Sequence, residues 1–397
     1  MVGLAGLDEA FDERPPAIVT SGEVGTTWMS KQHLDAFANP EGKKTGRSET
    51  AHYPGPVTVI TATTPTSNQV VVTPLPEFRL GDLESLPAGL KRLTLHEMEV
   101  AASGFFDGEE AFGEAVHEAR RSTKRIRAVL RLIRSELGDR IFGFEDRWMR
   151  DTARLVSPIR ESVALVESMD LLDRIYGHLL AAGALSETRY RLDHRRQRVE
   201  TRVMEDPEIV VTVVENLEKA HGRYSNWPVD DSARSIYGVG IRDEFAAIGP
   251  GLTETYASGR AQMVDAYKNV DAAKFHEWRK SVKYLRHQME LLTPIWPEVV
   301  VGMAISLERV GELLGQDHDL AMLIDRLDAD TNLCPDPVER SLISALANQR
   351  RSDLQMAARI LGRRIFAEEP DSLTGRFDAY WEAREPESLA ALTRVMI

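Results

Sequence analysis

The sequence has a single cysteine, Cys334. One thiol excludes an intramolecular disulfide and a zinc site built from several cysteines, and it agrees with a reducing compartment. Long apolar runs are also missing. The longest, Ile209–Val214 and Val299–Ile305, fall far short of the ~20 residues a membrane helix needs, so no membrane partner is expected. The first residues include Asp8, Glu9, Asp12 and Glu13 in place of a basic start and an apolar core. This argues against a secretory signal and for a cytoplasmic protein. No His-x-x-x-His or His-Glu-x-x-His spacing and no Gly-x-x-x-x-Gly-Lys-Ser/Thr loop occurs. The familiar zinc-helix and nucleotide-loop patterns are therefore not encoded, and neither a metal nor another cofactor is expected.

What the chain does have is length and charge. Its 397 residues allow two or three domains with real cores, and its formal net charge is -13. A chain this acidic should repel anions over most of its surface, so any anion site must be a local basic cluster. Residues 1–80 are rich in Pro, Ser, Thr and Gly, with Pro15, Pro16, Pro40, Pro54, Pro56, Pro65, Pro74 and Pro76 among them. They are read as an irregular, disordered extension, since the β-prone runs at 57–61 and 70–73 lack partner strands. From about Leu83 onward, Ala, Leu, Arg and Glu recur with helical period. Asp107 and Asp271 are placed to cap two of these helices. The polar, Gly-containing stretch that begins near Tyr224 and runs to Gly240 reads as a linker.

The second half echoes the first. Residues 115–127, AVHEARRSTKRIR, align without a gap on residues 274–286, KFHEWRKSVKYLR, at an offset of 159. Downstream, 155–161, LVSPIRE, lies over 313–319, LLGQDHD, at an offset of 158. A repeat this long indicates a duplicated domain, not a solenoid of short units. The expected fold is all-α: two tandem, pseudo-symmetric helical bundles of about four helices each, over 81–225 and 241–390, joined by a linker at 226–240 and preceded by the irregular extension.

On a wheel at ~100° per residue, His117, Arg121, Lys124 and Arg131 fall on one stripe, with Arg120 and Arg127 beside it. Ala119, Ile126, Leu130, Ile133 and Leu137 lie opposite. The second copy sets His276, Lys280, Lys283 and His287 on a stripe flanked by Arg279 and Arg286, against Trp278, Leu285, Met289 and Leu292. A polar helix face is commonly just solvated. Such faces mix signs to gain pairing one turn apart, however, whereas these are nearly all positive and recur in both halves. Guanidinium forks, compact ammonium charges and imidazoles that protonate beside an anion all suit phosphate oxygens. Set along ~20 Å of helix, they suit a chain of phosphates better than a single one.

The doubled His-Glu-x-Arg-[Arg/Lys]-Ser-x-Lys-x-[Ile/Leu]-Arg motif, followed downstream by Leu-Gly-x-x-basic-acidic in the second copy, resembles the CHAD domain, the conserved histidine α-helical domain, over about Leu83 to Ala383. The resemblance implies two four-helix bundles and a basic central channel that binds inorganic polyphosphate, with no cofactor and no established catalysis. The ligands it implies are His117, Arg120, Arg121, Lys124, Arg127, His276, Arg279, Lys280, Lys283 and Arg286. Arg131 extends the first stripe, and Arg160 and His318 are the bases of the downstream motif. His318 stands where the family usually has Arg, and in the first copy Ser157 replaces the glycine. Pro158 should kink the helix there. Glu161 and Asp319 read equally well as acids that orient a base or as ordinary helix-start acids. Arg195 and Arg196, Arg350 and Arg351, and Tyr256 with Arg260 could either join the site or lie on exposed faces. Family members often carry a triphosphatase domain marked Glu-x-Glu-x-Lys. Here Glu97-Met-Glu99 is followed by Val100 and Ala101, so that signature is absent.

The expectation is a polyphosphate-binding protein without catalytic residues, with association with itself or with polyphosphate granules left open. A nucleic-acid binder is the alternative, disfavoured because few aromatics interleave with the stripes. A metal-dependent phosphate-processing enzyme ranks below both.

Overall fold

In the computed structural model, residues 78–81, 84–106, 112–227, 240–268 and 270–384 are described. They form eleven α-helices, with no strand among the described residues. The helices are α1 (Leu86–Ser103), α2 (Phe112–Leu132), α3 (Arg134–Leu155), α4 (Ser157–Tyr176), α5 (Ser186–Met204), α6 (Pro207–Ser225), α7 (Gly249–Lys268), α8 (Ala272–Leu292), α9 (Pro297–Ala329), α10 (Pro337–Ile365) and α11 (Pro370–Glu382). The all-α expectation holds.

Local chemistry sets several boundaries. Asp271 caps α8 by accepting from the Ala273 amide at 3.1 Å, as its position before the repeat helix suggests. Asp206 and Asp336 do the same for α6 and α10, each followed by a proline that needs no amide partner in the first turn. The cap expected at Asp107 lies outside the described residues. Pro158 has the effect expected of it: α3 ends at Leu155, Val156 leaves helical geometry (φ -101°, ψ 3°), and α4 restarts at Ser157. At the matching place in the second half, Gly315 sits inside the unbroken 33-residue α9.

The apolar wheel faces are buried as expected. Ala119, Ile126, Leu130, Ile133 and Leu137 on one side, and Trp278, Leu285, Met289 and Leu292 on the other, all enter the larger of two cores. That core draws on both halves, from Phe78 and Leu90 to Val310 and Phe377. The smaller core joins Leu165, Met169 and Leu192 of α4 and α5 to Leu320, Ile343 and Leu354 of α9 and α10. The cores therefore do not divide the chain at 226–240. Two edges of the sequence reading shift. Phe78 and Leu80, assigned to the extension, are buried in the larger core. Tyr224 and Trp227, assigned to the linker region, stack at 4.2 Å and are buried, because their rings add apolar area to that core. The rest of the extension and residues 228–239 lie outside the described residues.

The helices carrying the two motif copies, α2 and α8, pack against each other, and α7 packs on both. Buried Gln288 of α8 donates to the Ala128 carbonyl of α2 at 3.3 Å and to Thr255 Oγ1 of α7 at 3.0 Å. At this junction Gly251 brings the α7 backbone onto the end of α2: a methyl group there would lie 2.3 Å from the Arg131 and Leu132 carbonyl oxygens. Backbone cannot move aside as a flexible side chain can. Gly251→Ala should therefore destabilise the protein by about 3 kcal/mol, the upper end of overpacking effects. Urea unfolding of the variant checks this, and an unchanged midpoint would mean that the junction is loose.

Candidate functional site

The packing of α2 on α8, and of α4 on both α2 and α9, gathers cations from the two halves into one place. Arg120 and Lys124 come from α2, Arg160 from α4, and Arg279 and Lys283 from α8. Lys124 is half-buried within the field of Lys283, Arg120, Arg279 and Arg160. Lys283 is half-buried within the field of Arg279, Arg286 and Arg160, with Asp319 of α9 the acid that faces it. Neither lysine makes a hydrogen bond or ion pair with another described residue, and the buried Arg279 Nε lacks an acceptor. Helix packing sets these cations against one another, with Asp319 the acid among them.

Burial, and then the neighbouring cations, pushes the Lys124 ammonium well below its ordinary range and holds Lys283 at about 7. Asp319 is raised by its own burial, although Arg279, Arg160 and Lys283 oppose this. The surroundings of the imidazoles oppose their protonation when no anion is present. His276 and His318 lie with ring centres 4.2 Å apart and planes tilted by 36°, and the His276 Nδ1 is buried without a partner. Burial, then His276 and the adjacent cations, drives His318 down to about 3, and burial followed by Arg279 lowers His276. Exposed His117 is lowered by desolvation and by Arg160. Each ring is therefore harder to protonate in the ligand-free protein than a free imidazole. An entering anion would oppose each of these shifts.

The two halves differ at one matched position. Ser157 Oγ accepts a hydrogen bond from Arg120. Its counterpart Gly315 offers no side-chain acceptor to Arg279, whose guanidinium lies 3.7 Å from where a Cβ would stand. The glycine thus leaves Arg279 both space and unused donors.

The family model for the CHAD domain matches residues 88–328. The chain belongs to the CHAD domain family. No curated protein matches the sequence. Among solved structures, PptA from Streptomyces chartreusis superposes with a TM-score of 0.51 at 15% identity, covering 71% of this chain and 98% of that one. At that identity the likeness shows a shared fold.

The other CHAD motif residues surround the cluster but are neutralised within the protein. Arg127 and Arg131 hold Asp146 of α3 through contacts of 2.9 and 2.6 Å, and lie over the Tyr284 ring at 5.5 and 3.9 Å. Burial opposes ionisation of Asp146, but the hydrogen bonds from both arginines outweigh it and hold the carboxyl at about 2. Arg286 pairs with Glu290 and Glu308, Arg121 with Glu118 and Lys280 with Glu277, and within the cluster Arg160 also reaches Glu167. His287 leaves the expected stripe. It is buried under Phe78, bonded to Glu290 at 2.8 Å and lowered to about 4, chiefly by desolvation, because the N-terminal segment closes over it.

The outer candidates divide. Arg351 faces His318 and donates to buried Asp317 at 3.1 Å. Arg350 reaches Gln316 at 3.5 Å and keeps a buried Nε without a partner. These two belong to the rim of the cluster. Arg195 lies in the field of Arg326 and Glu161, and Arg196 is tied to Asp193 and Glu200 on its own helix. Arg260 is held by Glu369 at 2.7 Å, and buried Tyr256 donates to the Ile365 carbonyl at 2.9 Å. Both face the α10–α11 corner, away from the cluster, because that corner supplies their acceptors. Asp146 was missed by sequence reasoning: nothing in the spacing between Arg127 and Asp146 announces the pairing, which arises from α3 folding back on α2.

Lys283 gives a signed pH effect. Its folded pKa near 7 lies below the ordinary lysine value of 10.5, so between those values the unfolded chain binds more protons and stability rises with pH. Lys283→Met lacks this term. Without ligand, the variant should be more stable than wild type near neutrality, and its advantage should shrink as pH rises from about 7 to about 10. Thermal melts across that range check it; a constant difference would contradict the depressed lysine.

Proposed function

We propose that this CHAD protein binds inorganic polyphosphate where α2, α4, α8 and α9 meet, acting as a cytoplasmic binder and not as a catalyst. The observation that carries the reading is that Lys124, Lys283 and Arg279 are clustered and desolvated and make no ion pair with a described acid, with Asp319 alone facing the latter two across the cluster. Such a cluster is unfavourable when empty and becomes favourable when an anion of high charge density fills it. A chain of phosphates can meet Arg120, Lys124, Arg279 and Lys283 together and then run on towards the rim at His318, Arg350 and Arg351. The family resemblance carried by the same residues supports polyphosphate over other anions. Nucleic acid fits less well, since the aromatic beside the cluster, Tyr284, is buried and covered by Arg131 and so gives a base no stacking face. Among the described residues no helix is long and apolar enough to cross a membrane. Association with polyphosphate granules or self-assembly would follow from a long ligand that emerges from the cleft.

A filter-binding assay with long-chain polyphosphate should show binding that weakens with salt, an extension of counterion release from nucleic acids. The double reversal Lys124→Glu, Lys283→Glu should abolish binding. Arg279→Gln should lose about ten- to a hundredfold, the ~1.5–3 kcal/mol of a charge-assisted hydrogen bond. Arg260→Ala should bind like wild type, and the ligand's chain length should be unchanged on a gel after incubation. Wild-type affinity in the double variant would place the ligand elsewhere, and efficient displacement by single-stranded RNA would favour the nucleic-acid reading.

A further inference from the structure

Lys283 combines features that the binding reading does not require. Arg279 precedes it by one helical turn, so the two side chains project from the same face of α8. Arg279 carries donors with no acceptor, while Arg160 and Lys124 face the pair from α4 and α2, and Asp319 from α9. Lys283 itself makes no hydrogen bond or ion pair with a described residue. A small phosphate monoanion or dianion held by Arg279 and Arg160 would leave its substituent beside a half-buried, unbonded amine.

We propose that Lys283 is a self-acylation site whose reagents are acyl phosphates: the phosphate docks on the same cations that hold polyphosphate, and the acyl group passes to the lysine. The inference rests on the cluster being the anion site. In the step, the Lys283 nitrogen lone pair attacks the acyl carbon and an amide C–N bond forms. The acyl carbon–oxygen bond to phosphate breaks, and the phosphate leaves with the bonding electron pair. One N–H proton ends on the departing phosphate, giving an amide and hydrogenphosphate with no other reactant. Two further properties favour it. The amine, held near 7, is largely an uncharged nucleophile at slightly alkaline pH, unlike an exposed lysine. The surrounding cations stabilise the charge that develops on the leaving phosphate. The amide can no longer take up a proton beside a phosphate, and so it weakens the cluster's hold on polyphosphate. The ratio of acyl phosphate to polyphosphate would then set how much binding capacity remains.

The test uses the full chain and acetyl phosphate, with site occupancy read by peptide mass spectrometry at early times. Exposed Lys219 and Lys268 serve as internal references. N-hydroxysuccinimide acetate, which carries no phosphate, serves as the control reagent. With acetyl phosphate, Lys283 should react at least tenfold faster than either reference. Its advantage should be several-fold smaller with the succinimide ester. Arg279→Gln should reduce the acetyl phosphate advantage, and Arg279→Lys should restore part of it. Labelling of Lys283 no faster than of Lys219, or an equal advantage with both reagents, overturns the proposal. Polyphosphate added beforehand should protect Lys283. Fast labelling without protection would uphold the acylation site and count against polyphosphate as the ligand there.

Discussion

The mutual repulsion of half-buried cations at a helix junction is the constraint on which the rest of this structure depends. Arg120, Lys124, Arg160, Arg279 and Lys283 are brought together by packing forces that have nothing to do with their charge. Buried apolar faces of α2 and α8 pull the two motif helices into one core, and the charged faces have to follow. Glu161 and Asp319 face some of these cations, but they do not balance them. Folding therefore proceeds against an electrostatic penalty that hydrophobic burial offsets, and the penalty is released when an anion arrives. The same logic explains why the penalty is confined. Arg127 and Arg131 share Asp146, Arg286 takes Glu290 and Glu308, and Arg351 takes Asp317. Most cations bordering the cluster are ion-paired, whereas Lys124, Lys283 and Arg279 at its centre make no ion pair with a described acid.

On the proposed reading, this arrangement would also make an acidic protein selective. With a net charge of -13, the chain should repel polyanions over most of its surface, while the clustered cations set up a local attractive field. A dense, flexible chain of phosphates can enter that field and be met from several helices. The difference between Ser157 and Gly315 adds a polarity, because the guanidinium of the first half is already engaged and that of the second is not. Membership in the CHAD family supports this reading of the cluster.

Much of this was legible in the sequence, for a definite reason. Helical period and the gapless echo of residues 115–127 in 274–286 depend on local spacing, and local spacing sorted Ile126 and Leu285 from Lys124 and Lys283 correctly. Pro158 announced its own helix break. Properties that depend on tertiary packing were not legible. His287 lay at the right angle for the stripe, yet Phe78 closed over it. The burial that opposes protonation of His276 and His318 in the empty protein likewise comes from packing. Asp146 and Glu308 neutralise motif arginines from other helices, and no interval in the sequence announces such pairings. The assignment of one bundle to each half followed the repeat, whereas the apolar cores mix the two halves.

The most direct test of the central claim is the number of protons taken up when polyphosphate binds, measured by calorimetry near pH 8 in buffers of different ionisation enthalpy. If the depressed lysines recharge against phosphate, binding should draw in roughly one proton or more. Tight binding with no proton uptake in any buffer would show that the ligand does not enter the field of Lys124 and Lys283, and would contradict the account.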